Sequence, residues 1–134
     1  MTTAVASILD LAGRDAALRR ALEPLGGARS RVRLAGLSPS AAAVLLPALL
    51  DRAAGGKILL LVPGEKEAEQ VRADLAFAVG ALRGGAGRVL PFPSLEADPY
   101  QELEPHLRVA CERVQALRAL RDPGEAIVVA PARP

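Results

Sequence analysis

Gly36, Ser38 and the run Ala41-Ala42-Ala43 occupy positions whose spacing could hold a phosphate. A phosphate-binding loop reads G-x-x-x-x-G-K-[ST]. Its backbone N–H groups wrap the phosphates, its lysine reaches the outer charges and its hydroxyl holds magnesium. Counted from Gly36, the places of the second glycine, the lysine and the hydroxyl hold Ala41, Ala42 and Ala43. Pro39 removes a further N–H donor. A helix start still attracts an anion through its free N–H groups, but that attraction is worth only on the order of 1 kcal/mol. A plain strand-to-helix turn capped by Ser38 accounts for these residues better than a working nucleotide site.

The other reactive residue types are sparse. His106 and Cys111 are five positions apart on one expected helix, so they point to different sides and cannot act as a nucleophile–base pair. One His and one Cys are also too few for a metal centre. Cys111, alone in the chain, cannot form an internal disulfide, which suits a reducing compartment; it is expected to pack in or near the core. Glu65, Glu67 and Glu69 are the carboxylates expected in the first turns of a helix. Glu96, Asp98, Glu102 and Glu104 make an acidic loop that is solvated or meets a basic partner. No catalytic group, metal or cofactor is expected.

Bulk properties narrow the class. With 134 residues, 51% hydrophobic and 24% charged, the chain is sized for one compact domain. Its formal charge of +2 arises from 17 basic and 15 acidic residues, with no dense basic block. Two Phe, one Tyr and no Trp make a poor platform for stacking bases. Scattered arginines such as Arg29, Arg31 and Arg33 leave DNA binding as a lesser alternative. The N-terminus lacks the basic start and unbroken apolar stretch of a signal peptide. The longest apolar run, Ala41 to Leu50, has about half the residues needed to cross a bilayer and contains Pro47. The expectation is a soluble, cytoplasmic chain without membrane contact.

The elements that would position these residues alternate in type. A helix capped by Ser7 carries Ile8, Leu11, Ala12, Leu18 and Leu22 and ends before Pro24. Val32 to Leu34 is a short strand candidate. Ser38-Pro39 starts a second helix, which Pro47 should kink. "KILLLVP" is a continuous apolar run of strand length, the mark of a strand buried on both faces. Ala68, Val71, Leu75 and Val79 give the next helix its stripe. "GGAGRVLPFP" holds another short strand, and "EADPYQELEP" reads as a loop. The following helix carries Leu107, Ala110, Val114, Leu117 and Leu120 on one side, and "EAIVVAP" closes with a buried-type strand. Strands alternating with helices predict an α/β fold with a parallel sheet flanked by helices. Residues 1–30 form an N-terminal helix and linker, and 31–134 the α/β domain.

From Phe92 to Leu120 the sequence resembles the N-terminal region of bacterial transcription-repair coupling factors (Mfd). The segment carrying the likeness reads fP-x-W/L-E-x-x-PY, followed by a P-H step and a helix with an Arg and several Leu. Its matching residues are Pro93, Glu96, Pro99, Tyr100, Pro105, His106, Arg113, Leu117 and Leu120, with Leu95 where many members carry Trp. The likeness extends back through "ILLLVPGEKEAEQVRADLAF" and forward to "AIVVAPAR". It implies a degenerate P-loop NTPase-like fold similar to domain 1 of UvrB, the damage-verifying subunit of nucleotide excision repair. Gly36 to Ala43 would then be the remnant of its phosphate loop. The stretch Phe92 to His106 is too short for UvrB's tyrosine-rich, damage-probing hairpin. The resemblance further implies a non-catalytic scaffold that helps recruit UvrA to stalled RNA polymerase, chiefly through a following inserted domain before which this sequence stops. Motor activity, polymerase contact and DNA contact would belong to other domains of the long protein. Pro93, Pro99, Tyr100 and Arg113 are expected to act structurally, Arg113 by holding carboxylates or carbonyls of the loop.

Overall fold

The computed structural model describes residues 14–23, 31, 33, 35–36, 38–50, 56–84, 88–95 and 106–132. In chain order the elements are α1 (Ala16–Leu22), α2 (Pro39–Leu49), β1 (Lys57–Val62), α3 (Glu65–Arg83), β2 (Arg88–Pro91), α4 (Leu107–Arg121) and β3 (Ala126–Pro131). The strands form a parallel sheet in the order β1-β3-β2. The expected α/β architecture, a parallel sheet with flanking helices, is therefore present. Of the candidate strand at Val32 to Leu34, Arg33 is not in a strand; Val32 and Leu34 lie outside the described residues, as do Ser7 to Ala12 of the first helix.

β3 is central because the two crossovers run in opposite directions. The chain passes from β1 through α3 to β2 at the far edge, then back through α4 to the middle. Right-handed crossovers of opposite direction put α3 and α4 on opposite faces of the sheet. Side-chain alternation agrees. Ile127 and Val129 of β3 pack in one cluster with Leu75 and Val79 of α3, Ala43 and Leu50 of the α2 region, and Val62. Ala126, Val128 and Ala130 point the other way, where α4 buries Val109, Ala116 and Ala119. α2 packs on α3, and its Ala43 joins the cluster on that side of the sheet.

Two apolar patterns resolve differently from expectation. β3 is buried on both faces, as its sequence predicts. β1 is not: Leu59 is 56% exposed and Leu61 62% exposed. Their register partners, Val128 and Ala130, place them on the α4 side, but α4 lies over β2 and β3. No described element covers that half of the face. In α4 the expected stripe is turned outward, with Leu107 76%, Val114 63% and Leu117 55% exposed. The small-residue face packs on the sheet instead.

Pro47 is tolerated because it falls in the last turn of α2. It is fully buried, the helix ends two residues later, and the Leu50 N–H closes onto the Pro47 carbonyl at 3.3 Å.

Polar contacts fix the ends of the helices. Lys57 Nζ donates to the Ala119 and Asp122 carbonyls, at 2.5 and 2.8 Å, satisfying acceptors that a helix end leaves open. Arg83, at the end of α3, pairs with Glu125 at 2.5 Å. Glu125 in turn crowds Gly56, which has φ +66; an added Cβ there would lie 2.8 Å from Glu125 Cγ.

Two substitutions test this frame. Gly56→Ala should lose at least ~1 kcal/mol, since a side chain in the left-handed region is strained even without the contact. Lys57→Met should lose about 1.5–3 kcal/mol, the usual range for charge-assisted hydrogen bonds. Urea denaturation monitored by circular dichroism measures both; a midpoint unchanged in Lys57→Met would show that the α4 end does not depend on the lysine.

Candidate functional site

Local chemistry explains the turn before α2. Ser38 is the N-cap: it is extended, and its Oγ accepts the Ala41 N–H at 3.3 Å. Pro39 follows at the first helical position, where a missing N–H costs nothing. Gly36 is exposed and has φ +77, and a Cβ added there would meet nothing within 4 Å. The turn therefore needs glycine for its backbone conformation and not for space. Ala41 and Ala42 are half-buried, and Ala43 is 4% exposed within the core cluster. The hydroxyl position of a phosphate loop is thus a packing position here. A larger side chain at Ala43 would have to displace members of that cluster.

The residues around Pro93 and Arg113 converge at the carboxyl ends of the strands. Phe92 continues past β2, its N–H donating to the Val129 carbonyl at 2.8 Å. Arg113, two turns into α4, lies over the Phe92 ring at 4.0 Å and donates from Nη1 to the Pro93 carbonyl at 2.6 Å. A cation on an aromatic face combined with a charge-assisted hydrogen bond locks both partners. His106 is the N-cap of α4, its Nδ1 accepting the Arg108 N–H at 3.2 Å. Glu96, Pro99 and Tyr100 lie outside the described residues. Cys111 is exposed, against the expectation of a core position, because it falls on the outward side of α4.

Between the N-terminal turns of α3 and α4 lies an open cleft of about 480 Å³, lined in part by Lys66, Arg72, Phe92, Arg108 and Glu112. Glu65, on its rim, accepts both the Ser94 N–H at 2.5 Å and the Ser94 hydroxyl. The first turn of α3 is therefore tied to the segment after β2. Basic and acidic side chains alternate around the cleft, so it has no strong preference for either sign of charge. Arg31 and Arg33 are exposed, and Arg29 lies outside the described residues. Among the described residues no group of three or more His, Cys, Asp or Glu could hold a metal ion. Likewise, none of their helices is long and apolar enough to cross a membrane.

Comparison with known proteins adds nothing to this geometry. No family model, curated protein or solved structure matches the chain. The fold and the contacts above stand by themselves.

Sequence reasoning singled out Pro93, His106 and Arg113, and the structure brings Pro93 and Arg113 into contact. It missed Phe92 as the ring beneath Arg113 and Glu65 as the partner of Ser94. The Glu65–Ser94 contact spans 29 positions and leaves no local signal; the aromatic at Phe92 beside a proline was the only hint.

Arg113→Met keeps the aliphatic stem but removes the guanidinium from Phe92 and Pro93. It should destabilise the chain by about 1.5–3 kcal/mol. Arg113→Lys should recover only part of this, because an ammonium cannot both stack and donate in that fixed geometry. Urea midpoints of the two variants decide between this and a purely apolar role for the stem.

Proposed function

We propose that this chain is a non-catalytic scaffold domain of a transcription-repair coupling factor, contributing to the recruitment of nucleotide excision repair to stalled RNA polymerase. The observation that carries the reading is the contact of Arg113 with Phe92 and Pro93. Residues that bear the resemblance join the chain segment after β2 to α4, the structural role the resemblance implies for them. The α2 turn supports the non-catalytic part. Its lysine and hydroxyl positions are alanines, and Ala43 packs in the core, so the loop has neither the charge nor the magnesium ligand that phosphate chemistry requires. In this reading UvrA is met mainly by a following domain, and polymerase and DNA by further domains of a longer protein. The parallel sheet serves as the rigid mount.

A lesser reading, weak DNA binding of the UvrB type, draws on the exposed Arg31 and Arg33. It predicts affinity for duplex DNA that falls steeply with added salt.

Two measurements test the proposal. Calorimetric titration of the chain with ATP and magnesium should give no heat and no thermal stabilisation at millimolar nucleotide; saturable binding would overturn the non-catalytic reading. Deleting the coding segment for residues 31–134 in the source organism should abolish the faster repair of transcribed strands after ultraviolet damage, leaving repair of untranscribed DNA intact. An unchanged strand bias would remove the link to transcription-coupled repair.

A further inference from the structure

The outward face of α4 carries a pattern distinct from the face on the sheet. Leu107, Ala110, Val114 and Leu117 alternate at spacings of three and four, the a and d positions of two consecutive heptads, and Arg121 takes the next a position. The three large members are the exposed Leu107, Val114 and Leu117. Cys111 borders them, and Ala110, Cys111, Val114 and Gln115 line a shallow hollow on this side. The buried residues Val109, Ala116 and Ala119 belong to the other side of the helix. An a/d seam on an exposed helix is the half-site of a helix pair.

The charges beside the seam say which helix fits. In this register Arg113 takes a g position and Arg118 an e position, with Arg121 in line at the C-terminal end. Arg113 keeps its charge while resting on Phe92. Arg118 and Arg121 share a single carboxylate, Asp122, at 3.0 and 3.9 Å, so positive charge remains. Glu112, the only acidic residue within α4, is turned away from the seam and lies 3.8 Å from Arg108. A second copy of this chain offers these arginines no acidic flank, in either orientation. Parallel helices would set Arg113 against Arg118 of the other copy. An antiparallel pair centred on Arg113 would set Arg113 against Arg113 and would bring no carboxylate of α4 to Arg118. Like charges at those positions oppose pairing.

We propose that the outer face of α4 docks an amphipathic helix of a separate protein, one with an apolar a/d seam flanked by Glu or Asp. The arginines at 113 and 118 then meet carboxylates, and Leu107, Val114 and Leu117 lose their contact with water. This inference rests on the seam and its charges and does not depend on the function proposed above.

The test titrates the 134-residue chain into a fluorescein-labelled synthetic peptide of about three heptads, with Leu at a and d and Glu at e and g. The Glu flanks keep the probe from pairing with itself. A second peptide carries Lys at e and g. The expected result is saturable anisotropy with the Glu peptide, at least tenfold weaker with the Lys peptide, and weaker as salt is raised. Val114→Asp and Leu107→Asp should each cut affinity for the Glu peptide at least tenfold. Both positions are exposed, and circular dichroism would establish that the variants keep the fold. Absence of saturation, equal binding of the two peptides, or affinity unchanged in both variants would overturn the proposal. So would sedimentation showing a dimer of the unmodified chain that Val114→Asp dissolves.

Discussion

The insertion of β3 between β1 and β2 is the constraint on which the rest of the structure depends. A strand hydrogen-bonded on both edges and apolar from Ala126 to Ala130 must be covered on both faces. Burial of apolar surface at about 25 cal/mol per Å² drives that covering, and right-handed crossovers decide which helix goes where. α3 takes one face with Leu75 and Val79; α4 takes the other with Val109, Ala116 and Ala119. Among the described residues no polar side chain is buried, so polar contacts act at the rims of the sheet and not within it.

Those rims govern the rotation of α4. On apolar area alone, Leu107, Val114 and Leu117 would be the natural face to bury, each worth about 1.5–3 kcal/mol when removed from water. The opposite face is buried. Two clasps hold that orientation: Lys57 on the carbonyls of Ala119 and Asp122, and Arg113 on Phe92 and Pro93. Charge-assisted bonds of this kind contribute a comparable amount each. Small residues on the sheet side also let the helix backbone approach the strands closely. The orientation thus reflects polar anchoring combined with close packing, in competition with simple hydrophobicity.

Local features of the candidate site were legible because their causes are local. Ser38 caps α2 through an N–H three residues away, and Pro39 fits its first helical position; that His106 caps α4 was not read from the sequence. The alanines at 41 to 43 already showed, by residue type, that the glycine, lysine and hydroxyl of a phosphate loop are missing there. The Phe92–Arg113 contact and the Glu65–Ser94 tie were not legible, because their partners meet only after β2, α3 and α4 converge at one end of the sheet.

The sequence by itself determined the alternation of strands and helices, the parallel class of the sheet, the Ser38 cap, and the absence of a phosphate loop's lysine and hydroxyl after Gly36. Each follows from propensity, periodicity or residue type within a short window. Tertiary structure alone decided the order of the strands and which of two apolar runs became the centre. "KILLLV" and "AIVVAP" look equally buriable as isolated segments, yet β1 lies at an edge of the described sheet with Leu59 and Leu61 exposed, while β3 is enclosed. It likewise decided which side of α4 faces inward. Burial is a property of what lies opposite a side chain, and that neighbour is supplied by distant parts of the chain.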